Sequence, residues 1–106
     1  MKQLPDQSKA NTANGIWFVF SDTEAIFKVW LSTLTGKEKV FANEELIYET
    51  RNITRLHTTY DLEYAGRPYE LEIYTRSLLT MTIECNLFKA GRLVGSQICQ
   101  INAMGL

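Results

Sequence analysis

Residues 55–76 read RLHTTYDLEYAGRPYELEIYTR, and this stretch decides the fold. Apolar and polar side chains alternate along both of its arms, on either side of Ala65-Gly66. Alternation with a period of two over that length is typical of a half-buried β-strand. A tight turn at Ala65-Gly66 sets Leu62 opposite Tyr69, so the apolar sets of both arms share one face. The stretch therefore predicts a β-hairpin whose register is fixed, because a slip of one residue would turn those side chains to the other face.

Four segments before this hairpin also have the composition of strands. They are residues 16–20, 25–32, 37–42 and 45–51. The continuous apolar run at 16–20 predicts a strand that is covered on both faces. The last two segments predict a hairpin about Asn43-Glu44 with Val40 facing Ile47, since Asn tolerates the positive φ of such a turn.

After the central hairpin, residues 81–88 and 93–101 predict a final hairpin that turns at Ala90-Gly91 and sets Leu87 opposite Val94. In that register Cys85 and Cys99 point to opposite faces, so we expect two free, buried thiols. The chain then has about eight strands and no segment of helical period longer than a turn or two. We predict an all-β fold, a single antiparallel β-sandwich of about eight strands connected largely by hairpins.

Length and charge limit the class of protein. A chain of 106 residues makes one domain, and a formal net charge of -1 argues against bulk electrostatic binding of nucleic acid or of an anionic membrane. Residues 1–14 are polar and aperiodic, so we predict a flexible tail there, a β-sandwich domain at 15–102 and a C-terminal tail at 103–106. The tail at 1–14 has no apolar segment of the kind that a secretory signal needs. We expect a cytoplasmic protein.

Three stretches carry a family resemblance. They are FKVWLSTLTGKEKVFANEELIYETRN, HTTYDLEYAGRPYELEIY and ECNLFKAGRLVG. Over about residues 25–94 the chain resembles the Fas apoptotic inhibitory molecule family and its small bacterial look-alikes, which share this order of hairpins. It departs from the family pattern at Glu44, where a turn glycine is usual, and near Asn52, where a tryptophan is often found. The resemblance implies a β-sandwich without catalytic machinery that acts through protein contacts or protects other proteins from aggregation.

The residues that could carry chemistry are few. His57 is the only histidine, and the hairpin register places it on the polar face opposite Tyr74. A catalytic role would need a serine or cysteine within hydrogen-bond reach of its ring. The sequence has neither a C-x-x-C nor an H-x-x-x-H pair to ligate a metal. We therefore predict that the protein is not an enzyme and that it uses no cofactor and no metal.

Two groups of side chains remain as candidate interaction surfaces. The first is an acidic row on the polar face of the central hairpin, with Glu84 as a further candidate member: Asp61, Glu63, Glu70 and Glu72. It is either a solvated sheet face or a surface for a cation or a basic partner. The second is a set of aromatic side chains on strand faces opposite the clearest inward sets: Trp17, Trp30, Tyr48 and Tyr74. Aromatic side chains exposed together form a platform for a partner protein or a sugar ring.

These features lead to two functional hypotheses. The first is a non-enzymatic protein-interaction or chaperone-like module, whose partner is another protein or a second copy joined through a sheet edge. The alternative is a small-ligand or carbohydrate-binding module that uses the exposed aromatic side chains on a sheet face.

Overall fold

The computed structural model describes residues 15–32, 35–52, 57–77 and 82–100. Eight strands run through them: β1 (Ile16–Ser21), β2 (Ile26–Leu31), β3 (Lys37–Ala42), β4 (Glu45–Arg51), β5 (His57–Tyr64), β6 (Arg67–Ser77), β7 (Thr82–Lys89) and β8 (Arg92–Gln100). No helix in this part of the chain could cross a membrane. The predicted tails at 1–14 and 103–106 lie outside the described residues.

The strands form two four-stranded antiparallel sheets. Sheet 1 has the order β1-β2-β3-β4 and sheet 2 the order β5-β6-β7-β8, so each sheet is a meander of consecutive strands. The two sheets pack face to face, with β1 against β8 along one side and β4 against β5 along the other. This confirms the predicted all-β sandwich of eight antiparallel strands.

The central hairpin has the register that its alternation predicts. Leu62 lies opposite Tyr69 and Asp61 lies opposite Glu70. At the turn, Ala65 and Gly66 have φ values of 55° and 74°. Two successive positive φ angles are the geometry of a two-residue turn whose twist matches that of the flanking strands.

The predicted registers of the other two hairpins are correct next to the turn, where Phe41 lies opposite Leu46 and Phe88 opposite Leu93, and wrong by one residue further along. Val40 lies opposite Tyr48 rather than Ile47, and Leu87 lies opposite Gly95 rather than Val94. In each case the register shifts close to the turn. A β-bulge places two residues against one on the partner strand, so it moves every later pair by one position. Alternation alone carries no sign of the extra residue.

The core fills the space between the two sheets. The alternating inner side chains form one cluster of buried residues: Ile16, Phe18, Phe20, Ala25, Phe27, Val29, Leu31, Val40, Ala42, Leu62, Tyr69, Leu71, Ile73, Ile83, Cys85, Leu87 and Cys99. The prediction that β1 is covered on both faces is wrong, because Trp17 is exposed and Val19 is partly exposed on its outer face. A two-layer sandwich has no third layer to cover that face.

Two of the buried polar side chains, Glu38 and Gln97, join the two sheets and were not foreseen. Glu38 is 1 % exposed, and its Oε1 accepts a hydrogen bond from the hydroxyl of Tyr60 across the two sheets. Gln97 is 2 % exposed and bridges β8 to the backbone of Val19 on β1. Buried polar groups are tolerated when they are hydrogen-bonded, and here the bonds join one sheet to the other.

The two cysteines are free and buried, as predicted. Their predicted placement on opposite faces is wrong. Cys85 lies opposite Gln97 and Cys99 lies opposite Ile83, so both thiols belong to the inner face and are diagonal neighbours. Diagonal positions on paired strands are about 7–8 Å apart, which is beyond the usual span of a disulfide.

Candidate interaction surfaces

The outer face of sheet 1 brings three aromatic rings together. Trp17 and Trp30 are directly paired across β1 and β2, and their ring centroids are 6.4 Å apart. The ring of Phe41, on β3, lies 6.0 Å from that of Trp17. Sequence analysis had named the two tryptophans but not Phe41, although its place in the β2–β3 register adds it to this face.

Gly15, just before β1, lets one of these rings lie against the backbone. Its φ is +80°, and a Cβ at this position would lie 2.7 Å from Nε1 of Trp30 and 2.5 Å from the carbonyl oxygen of Leu31. Both the backbone angle and the close approach favour glycine. The indole of Trp30 is thereby held against the start of β1.

Basic side chains alternate with the rings on the same face. Lys28 lies opposite Phe41, and Lys39 lies opposite Trp30. The Nζ of Lys39 is 5.6 Å from the centroid of the Trp30 ring, which is within cation–π range. We call these five residues, Trp17, Trp30, Phe41, Lys28 and Lys39, the aromatic–basic face.

Two glutamates at the border of this face partly balance its charge. Nζ of Lys28 lies 2.6 Å from Oε1 of Glu44, and Nζ of Lys39 lies 3.9 Å from Oε2 of Glu49. Lys37 also lies within 3.7 Å of Glu49. Ion pairs exposed to this degree contribute little stability.

The other two predicted aromatic residues lie elsewhere. Tyr48 lies opposite the buried Val40, on the inner face of sheet 1, and its ring is 5.0 Å from that of Tyr60. Its predicted place on an outer face is wrong, because the bulge in β3 and β4 shifts the register. Tyr74 is exposed, but it lies on sheet 2, where its ring is 5.4 Å from the ring of His57.

The acidic row lies on the outer face of sheet 2. Asp61, Glu63 and Glu70 are exposed, and Glu72 is half-buried beneath two polar neighbours. His57 Nε2 lies 2.6 Å from Oε2 of Glu72, and Asn86 Nδ2 donates to Oε1 of Glu72 over 2.8 Å. These contacts, first that of Asn86 and then that of His57, hold the pKa of Glu72 below its ordinary value.

Asn86 joins Glu84 to this row, which sequence analysis had named as a candidate member. Its Nδ2 also donates to Oε2 of Glu84 over 2.8 Å. Asn86 itself was missed, because a lone asparagine in a strand has no distinguishing pattern. Its buried Oδ1 accepts no hydrogen bond from the described residues.

The residues with catalytic potential are not brought together as a nucleophile and a base. The hydrogen-bond partner of His57 is the carboxylate of Glu72. Burial raises the pKa of the Cys85 thiol well above its ordinary value, with the carboxylates of Glu38 and Glu72 adding to the effect, and burial also raises that of Cys99. Both thiols are therefore protonated at neutral pH, and a protonated thiol is a poor nucleophile. Within the described residues, no group of three or more His, Cys, Asp or Glu side chains could hold a metal ion.

The fold and these surfaces define an eight-stranded antiparallel β-sandwich whose two outer faces differ in charge, one aromatic and basic, the other acidic. No protein-family model, no curated protein and no solved structure matches the chain. The resemblance to the Fas apoptotic inhibitory molecule family stays a prediction.

Proposed function

We propose that the protein is a non-enzymatic binding module that contacts another protein through the aromatic–basic face. The observation that carries this proposal is the grouping of Trp17, Trp30 and Phe41 on the outer face of sheet 1. Tryptophan is enriched among the residues that contribute most to protein–protein binding. An apolar centre with a charged border is also the usual anatomy of such an interface.

The neighbouring side chains extend the apolar area. Ile26 is 48 % exposed and Leu46 is 46 % exposed, and both lie on the same outer face, opposite Ser21 and Phe41 respectively. Large apolar side chains exposed together are uncommon on a protein that has no partner. The same area would suit a chaperone-like role, in which the face covers exposed apolar segments of a partially unfolded protein.

A face supports binding better than an edge does. At the β1 edge, the backbone of Val19 is already hydrogen-bonded to Gln97. At the β5 edge, Asp61 and Glu63 are exposed, and charged side chains discourage pairing with another strand. We therefore favour a partner bound to the face over self-association through a sheet edge.

The experiment compares two exposed aromatic residues on opposite faces. Trp17 is 37 % exposed on sheet 1 and Tyr74 is 41 % exposed on sheet 2, so Trp17→Ser and Tyr74→Ser remove similar exposed areas. The purified protein is added to an unrelated protein that aggregates on heating, and light scattering is followed. We expect suppression of aggregation that Trp17→Ser abolishes and Tyr74→Ser preserves. Equal loss in both variants, or no suppression by the wild type, would contradict the chaperone-like role.

A second candidate function is carbohydrate binding at the same face. The specific observation in its favour is the pair of indole rings 6.4 Å apart with the Lys39 amino group beside them, since a sugar ring can stack on the exposed indole while a cation binds an acidic substituent. Because Trp17 and Trp30 are the only tryptophans, their fluorescence reports binding at this face directly. A shift with neutral or acidic oligosaccharides that Trp17→Ser removes would favour this function. No shift with any of them would exclude it.

A further inference from the structure

A cleft lies at one end of the sandwich. It is formed by the turn between β1 and β2 and by the hairpin between β7 and β8, and its volume is about 550 Å³. Its lining includes Asp22, Thr23, Lys89, Arg92, Leu93 and Val94. Clefts of about 300–1,000 Å³ with a few convergent polar groups are the usual sites for small ligands.

Asp22 and Lys89 form an ion pair in the cleft. Lys89 Nζ lies 3.0 Å from Asp22 Oδ2, and the hydroxyl of Tyr69 donates to the same oxygen over 2.9 Å. The hydrogen bond from Lys89 is the main cause that lowers the pKa of Asp22. The same bond is the main cause that raises the pKa of Lys89, while burial raises that of Tyr69. Asp22 thus stays ionised and Lys89 stays protonated at neutral pH.

A second cation in the cleft is not balanced. Arg92 lies directly opposite Lys89, as the last pair before the β7–β8 turn. Asp22 pairs with Lys89, and among the described residues no carboxylate forms an ion pair with Arg92. Among the described residues that line the cleft, two are positively charged and one is negatively charged. A guanidinium also offers five N–H donors in a planar arrangement that suits carboxylate and phosphate oxygens.

Two apolar residues that follow Arg92 in β8, Leu93 and Val94, also line the cleft. Leu93 follows Arg92 in β8 and is 57 % exposed, the most exposed large apolar side chain among those described. Val94, next in the chain, is partly buried against the core and lines the same cleft. A guanidinium with no ion-pair partner among the described residues, in a cleft that apolar residues also line, matches a ligand that is anionic at one end and apolar at the other.

We propose that this cleft binds a small organic anion, a carboxylate or phosphate group carried on an apolar body. Arg92 binds the anionic group, Leu93 and Val94 contact the apolar body, and the Asp22–Lys89 pair holds the base of the cleft in place. The site shares no residue with the aromatic–basic face, so it stands or falls independently of the proposed function.

The test uses three probes that each have six carbon atoms: hexanoate, hexyl phosphate and hexanol. Each is titrated into the isotopically labelled protein while the backbone amide resonances of Thr23, Gly91 and Leu93 are followed by NMR. We expect saturable shifts with the two anions and none with hexanol. The anion that saturates at the lower concentration distinguishes a carboxylate ligand from a phosphate ligand.

Variants separate this site from non-specific binding. Arg92→Gln should weaken binding of the anions by about tenfold, the effect of losing one charge-assisted interaction. Arg76→Gln, which changes an exposed arginine on β6 outside the cleft, should leave binding unchanged. Hexanol binding as tightly as hexanoate, absence of any saturable shift, or an unchanged affinity in Arg92→Gln would overturn the proposal.

Discussion

The side-chain amide of Gln97, on β8, is hydrogen-bonded to both backbone groups of Val19, on β1. The Val19 N–H donates to Oε1 over 3.1 Å, and Nε2 donates to the Val19 carbonyl oxygen over 2.5 Å. The amide thus makes the two backbone hydrogen bonds that a residue of another strand would make at this edge of β1. It ties the two sheets together on the side where β1 packs against β8.

Replacing this amide should destabilise the protein and open the edge of β1. We expect Gln97→Met to lower the free energy of unfolding by about 1–3 kcal/mol, because two backbone groups lose their partner inside the protein. An unprotected edge strand also pairs more readily with another chain. Urea unfolding measures the first effect, and analytical ultracentrifugation measures the second.

Gln100→Met is the matched control for this substitution. Gln100 belongs to the same strand but is exposed, so the change should alter stability by less than about 0.5 kcal/mol. If Gln97→Met were as stable as Gln100→Met, the hydrogen bonds to Val19 would contribute nothing measurable.

The bond between Tyr60 and the buried carboxylate of Glu38 should appear in the alkaline titration. Burial and the Glu38 carboxylate raise the pKa of Tyr60 to about 12. The unfolded chain loses this proton near pH 10, as free tyrosine does. The stability from this group is therefore complete below about pH 10 and is lost as the pH rises toward 12.

Tyr60→Phe is the variant that isolates this effect. It should lower stability at neutral pH by about 1–3 kcal/mol, since Glu38 loses a hydrogen-bond donor in the interior. It should also reduce the tyrosinate absorbance change near pH 12 and flatten the loss of stability above about pH 10. Tyr74→Phe, at an exposed position, is the control and should keep both features. The assignment would be wrong if the absorbance change near pH 12 were as large in Tyr60→Phe as in the wild type.

Repulsion between the like charges of Asp61 and Glu70 should lower the free energy of unfolding. They are direct partners in the β5–β6 ladder, and both are exposed. Asp61→Asn should therefore raise the free energy of unfolding by about 0.2–1 kcal/mol, with a smaller gain at high salt. Glu63→Gln is the control, because its partner is the uncharged Pro68. Equal gains in the two variants would point to the overall charge rather than to the pair.

The alternation of apolar and polar residues along the chain was enough to predict the eight strands and the central hairpin. Tyr69 and Leu62 share a face because two-residue periodicity and the Ala65-Gly66 turn act in the same direction. The bulge after Val40 could not be read in this way, since an extra residue in a strand leaves the composition of the strand unchanged. Its consequence for the site was large, because it turned Tyr48 from the outer face to the inner one.

Contacts between distant parts of the chain were also beyond prediction. Gln97 meets Val19 and Glu38 meets Tyr60 only because the two sheets pack face to face. A buried polar residue in a strand has the same local sequence as an exposed one, so its hydrogen-bond partner is known only when the other sheet is in place. The two tryptophans, by contrast, were placed correctly on an outer face, because their positions alternate with those of the core residues of β1 and β2.

The two thiols should react only when the protein unfolds. Cys85 and Cys99 are 0 % and 3 % exposed, and burial raises both pKa values, so the reactive thiolate is scarce in the folded protein. We expect a thiol-specific reagent to label both cysteines slowly in buffer and rapidly in urea, with both rates following the same unfolding transition. Mass spectrometry without reductant should find two free thiols per chain, since their diagonal placement is too wide for a disulfide. Rapid labelling of one cysteine in the folded state would contradict this placement and would indicate local opening of the β7–β8 side.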